Sequence, residues 1–174
     1  MAHIDLHNEL PGLMALLTYR PETAKPLVDL ANTLLRGPNS LTRGERELIG
    51  AAVSQENDCT FCANSHKAMA TQELDDPPLV DKVLKDREEA PPKLRALLNI
   101  ATQVRISGKS VHPNDIEAAH QAGATDVEIH DTVLIAAAFC MMNRYVDGLG
   151  TLAPPDPAGY AAAAKRITEN GYGS

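Results

Sequence analysis

The chain has 174 residues, of which 44% are hydrophobic and 22% charged, and it carries a net charge of −7. That size can bury a core without disulfide staples, and the composition excludes disorder over the whole length. With no basic patch and no Lys/Arg-rich amphipathic stretch, neither nucleic acid nor a membrane surface is expected as a partner.

Ala and Leu supply 45 residues against 17 for Val and Ile, and aromatics are 3%. Strands favour β-branched and aromatic residues, so the expectation is an all-α fold. One domain is expected over 1–174, with an N-terminal helical extension to about residue 38 and a loose C-terminal tail from about 154.

In chain order, Pro21 can open a helix that Gly37-Pro38 closes. Thr42-Arg43-Gly44-Glu45 fits a capping box and predicts a helix from about residue 43, with Leu48, Ile49, Ala52 and Val53 on its apolar stripe. Asn57-Asp58 should end it. Asp58 is read as the N-cap of the next helix, which puts Cys59 at its first position and runs to about Glu73. Shorter helices are expected at 78–86, 93–107 and 114–122, with Gly108 and Gly123 as stops. A second box, Thr125 to Glu128, opens a helix that could reach Leu149. Its centre, Val133 to Met142, is apolar on every side, which predicts burial all round or sharing with a neighbouring subunit. Ten apolar residues are too few to span a membrane, which takes about 20. The first residues lack the basic and apolar segments of a secretory signal, so a cytoplasmic location is expected. His3 and His7 fall in an end expected to be mobile.

Cys59 and Cys62 form a Cys-x-x-Cys pair, read in a reducing compartment as a redox or metal motif. A helix N-terminus favours a thiolate, and one sulfur can attack a peroxide or disulfide while the other resolves the intermediate. His66 follows Cys62 by four residues, on the same helix face, where it can act as base. In a hairpin turning at Asn57-Asp58, Glu47 would lie roughly 15 Å from the turn, His66 roughly 12 Å and Cys62 roughly 6 Å. Glu47 is therefore the acid expected to orient His66. The rivals are Glu45, which has a capping role, and Glu56, which should be solvated. Cys59, Cys62 and His66 could instead hold zinc, although no second ligand pair lies near, and no metal or other cofactor is expected. Cys140 is read as core. Arg144 and Asp147 are read as a local ion pair or, alternatively, as a substrate or subunit contact.

Glu47, eleven residues, Cys59-Thr-Phe-Cys62, three residues and His66 resemble the signature of the carboxymuconolactone decarboxylase superfamily, in its alkylhydroperoxidase D-like branch. Leu41 to Ile49 and Asn57 agree with it. Phe139 to Gly148 is similar to the peroxidase-related group of that branch. The resemblance implies an oligomeric helical bundle around the hairpin that carries the cysteines, and thiol-dependent reduction of organic hydroperoxides. It implies that Cys62 attacks peroxide, that Cys59 is the more accessible resolving thiol, and that His66 and Glu47 relay the proton. A thiol or lipoyl-type reductant would restore the dithiol. Phe61 stands where the founding enzymes carry a His. The competing expectation is a non-catalytic oligomer whose dithiol senses redox state or exchanges disulfides.

Overall fold

The computed structural model describes residues 2–74 and 76–173. Its helices are α1 (Gly12–Tyr19), α2 (Pro21–Arg36), α3 (Arg43–Glu56), α4 (Thr60–Leu74), α5 (Pro77–Lys85), α6 (Pro92–Ile106), α7 (Pro113–Gln121), α8 (Asp126–Gly148) and α9 (Pro157–Asn170). No strand occurs among the described residues. The all-α expectation therefore holds.

Both capping boxes form. The Thr42 hydroxyl accepts from the Glu45 N–H at 3.2 Å, and the Glu45 carboxylate accepts from the Thr42 N–H at 2.8 Å. Thr125 and Glu128 repeat the arrangement at 3.2 and 2.8 Å. Each box satisfies N–H groups that a helix start leaves without partners.

The turn between α3 and α4 differs from expectation. Asp58 has φ 58°, the left-handed region that Asp and Asn tolerate. Its N–H donates to Gln55 O, and the Cys59 N–H donates to Ser54 O, both at 3.0 Å. This is a Schellman closure of α3, so Asp58 ends one helix and does not cap the next. Cys59 instead precedes α4, its carbonyl accepting from the Ala63 N–H at 2.9 Å. Cys62 is thus the third residue of α4, still among the free N–H groups of the first turn.

Leu48, Ile49 and Val53 of α3 pack with Leu97 and Ile100 of α6 and with Ile135 and Ala136 of α8 in the main core. A second cluster joins Leu6, Ala15, Leu16 and Val146 to Cys59 and Cys62. The N-terminal segment closes over it, contrary to expectation. The His3 N–H donates to Leu149 O at 2.8 Å, and Leu6 is buried. Residues 154–173 do not form a loose tail with a short helix, residue 174 lying outside the described residues: α9 has 14 residues and packs along α4, and Arg36 donates to Thr168 O at 2.6 Å. Helix α1 had no local signal of its own in the sequence.

The centre of α8 is not buried all round. Val127, Leu134 and Met141, spaced by seven residues, are 61%, 37% and 47% exposed and mark one open apolar face. No helix among the described residues is long and apolar enough to cross a membrane.

Candidate active site

Helix α3 places Glu47 and α4 places Cys62 and His66, and the hairpin brings Glu47 and His66 to matching levels. Nδ1 of His66 lies 2.6 Å from Oε2 of Glu47, which is fully buried. An ionised carboxylate only accepts, so the proton sits on Nδ1. Nε2 is then the ring nitrogen left to serve as a base. The ring is braced edge-on against Phe139 at a centroid distance of 4.5 Å. Phe139 can sit there because residue 50 is glycine: a Cβ would come within 2.3 Å of its ring.

Glu45 and Glu56 are occupied elsewhere. Glu45 closes the α3 box. Glu56 is not simply solvated. It pairs with Arg87 and with Arg105 and accepts from the Thr102 hydroxyl at 2.8 Å.

Cys59 and Cys62 are free thiols, 0% and 4% exposed. The resemblance implied that Cys59 is the more accessible of the two. The structure reverses this, because Leu6, Leu16 and Val146 enclose Cys59 while Cys62 opens onto a cavity. The Cys59 thiol donates to Cys62, and this raises the Cys59 pKa far above its usual range, with burial adding to the rise. The same hydrogen bond lowers the Cys62 pKa. Burial opposes that lowering, while the His66 charge and a hydrogen bond from Asn143 assist it. Of the two sulfurs, Cys62 is the one poised as thiolate.

Sequence reasoning gave Asn143 no role. It is buried, donates to Ser54 Oγ at 3.0 Å and accepts from Asn57 Nδ2 at 2.9 Å. An Asn following so long an apolar run was the available signal, since a buried amide needs partners. Tyr172 was also missed: its hydroxyl donates to Oε1 of Glu47 at 2.6 Å.

The cavity has a volume of about 140 Å³. Cys62, Ser65 and His66 face it from α4, and leucines and alanines of α1, α2 and α9 make it apolar. Phe61 forms part of the wall. Its ring occupies the space over Gly12, where a Cβ would lie 2.1 Å from it, and meets Tyr160 at 5.9 Å. The position that holds a His in the founding enzymes is an apolar packing position here.

Cys140 is half-buried against the main core. Arg144 and Asp147 make no ion pair among the described residues: Arg144 donates to Cys140 O at 2.9 Å, and Asp147 lies by the Cys59 thiol, where it adds to the rise of that pKa. The zinc alternative finds no support, since no three His, Cys, Asp or Glu among the described residues are placed to hold a metal ion.

Part of the chain resembles a known family, and its fold resembles solved structures. The family model described as the carboxymuconolactone decarboxylase family matches residues 21–78, the stretch that contributes Glu47, Cys59, Cys62 and His66. A solved structure of an uncharacterized peroxidase-related protein from Silicibacter sp. TM1040 is similar, with 25% identity and a TM-score of 0.77. The match covers 87% of this chain and 78% of that one. Another, described as an alkylhydroperoxidase AhpD core and an uncharacterized peroxidase-related protein from Ralstonia eutropha JMP134, has 28% identity and a TM-score of 0.78, covering 90% of this chain and 82% of that one. A search of curated proteins finds no match. Residues 21–78 thus resemble the carboxymuconolactone decarboxylase family, and the chain as a whole is similar in fold to these two peroxidase-related structures.

Proposed function

We propose that this protein is a thiol-dependent peroxidase that reduces organic hydroperoxides through a dithiol–disulfide cycle. The observation that carries the reading is a sulfur and an imidazole sharing one apolar cavity, with a buried carboxylate behind the imidazole. An apolar lining suits an alkyl group better than it suits hydrogen peroxide.

The cycle balances without a metal, haem or flavin. The Cys62 thiolate attacks the terminal peroxide oxygen, and the O–O bond breaks. The alcohol leaves with a proton supplied through His66, and Cys62 becomes a sulfenic acid. The Cys59 thiol then attacks that sulfur; the S–S bond forms and water departs. An external thiol or lipoyl-type dithiol supplies two electrons to restore both thiols. The reading places the cycle in the cytoplasm, where such reductants are at hand. It also takes the protein as a homo-oligomer, supported by the open apolar face of α8.

Turnover of tert-butyl hydroperoxide with dihydrolipoamide tests the proposal. Cys62→Ser is expected to abolish it. Cys59→Ser is expected to leave a single turnover that stops at the sulfenic acid. Full turnover by the Cys62 variant would overturn the assignment.

A further inference from the structure

Resting on the peroxidase reading and deepening it, we propose that Tyr172 is a positioning residue of the site. Its hydroxyl fixes the Glu47 carboxylate, which in turn keeps His66 oriented over the cavity that Cys62 lines.

Glu47 is fully buried, so both of its oxygens need partners. Oε2 meets His66 Nδ1 at 2.6 Å, and Oε1 accepts from the Tyr172 hydroxyl at 2.6 Å. The phenol oxygen also lies 3.4 Å from His66 Nδ1 and 3.3 Å from Met69 Sδ. It therefore touches both halves of the acid–imidazole pair.

The segment after α9 is held as if to deliver this group. The Tyr172 N–H donates to Asn32 Oδ1 at 2.9 Å, and Asn32 Nδ2 donates back to Tyr172 O at 3.1 Å. Arg36, one turn further along α2, donates to Thr168 O and pairs with Glu73 of α4 at 3.0 Å. Helix α2 thus ties down both the last turns of α9 and the tyrosine beyond it.

Burial, and then the negative Glu47, push the Tyr172 hydroxyl well above its usual range, so it remains a donor. The titratable and charged groups around it are Glu47 from α3, His66 and Glu73 from α4, and Arg36 from α2. On the far side of Cys62 stand Cys59 and Asp147. Of these, only Glu47 and His66 share a hydrogen-bonding contact with Tyr172.

Packing alone would be preserved by phenylalanine, whereas positioning needs the hydroxyl. The test is iodoacetamide alkylation of the reduced full-length protein across pH, read at the Cys62 peptide by mass spectrometry. Thermal midpoint and tert-butyl hydroperoxide turnover are measured alongside. In Tyr172→Phe one Glu47 oxygen loses its donor and the imidazole is less well held. The alkylation midpoint of Cys62 should rise by about half a pH unit or more. Turnover should fall about tenfold, in line with a lost hydrogen bond to a charged group. Asn32→Ala, which releases the backbone clamp without touching Glu47, should shift the midpoint the same way by less. It decides the matter if Tyr172→Phe does not fold. Wild-type midpoints in the folded variants would overturn the proposal and leave the peroxidase reading intact. A shifted midpoint in a protein whose wild type shows no turnover would sustain the proposal and sink the peroxidase reading.

Discussion

Oε2 of Glu47 and Nδ1 of His66 lie 2.6 Å apart across the α3–α4 hairpin, 19 residues apart in the chain. Besides the Tyr172 hydroxyl, the pair is held by the Schellman turn that sets the register of the helices and by the Phe139 ring that limits the imidazole. A carboxylate there favours the imidazolium that forms when Nε2 takes the Cys62 proton. Glu47→Gln keeps the shape and removes the charge. Peroxide turnover should fall about 10²-fold, the lower end of what an acid–base group contributes. Alkylation of Cys62 at neutral pH should slow in parallel. A folded Glu47→Gln protein with full turnover would remove Glu47 from the relay.

Much of this arrangement was legible because its determinants are local. Thr42-x-x-Glu45 and Thr125-x-x-Glu128 fix two helix starts within four residues, and both form. The rise per residue then brings Glu47 level with His66 once the turn is located. Asp58 was misread because Asp suits both an N-cap and a left-handed helix stop, and only the backbone bonds to Gln55 and Ser54 distinguish the two. The burial of Cys59 depends on Leu6 and Leu16, brought in from far along the chain. Tyr172 reaches Glu47 across 125 residues, and no periodicity or spacing marks such a contact. What the sequence concealed is therefore the closure of both chain ends over the site.

The face of α8 marked by Val127, Leu134 and Met141 carries the next prediction. Residues seven apart lie on one stripe of a helix, and large apolar side chains left open along it favour a matching surface. Leu134→Glu with Met141→Lys leaves the cysteine pair and His66 unaltered. Sedimentation at micromolar concentration should find the wild type as an oligomer and the double variant as a monomer. A wild type that sediments as a monomer would remove the oligomer from the reading.

Glu128 makes stability depend on acid. Burial would raise its pKa, but Lys93 at 2.9 Å, the Thr125 N–H and the Ser40 hydroxyl outweigh that and hold it at about 2. An unfolded glutamate titrates near about 4.3. The folded pKa lies below the unfolded one, so the unfolded chain binds the proton first as pH falls. The stabilisation is complete above about pH 5 and is lost progressively as pH falls toward about 2. It amounts to about 3 kcal/mol at neutral pH. Urea unfolding of wild type and Glu128→Gln should show that gap at pH 7 and about half of it or less at pH 3. A gap that stays constant across this range would mean that Glu128 contributes through packing and capping shape, and not through its charge.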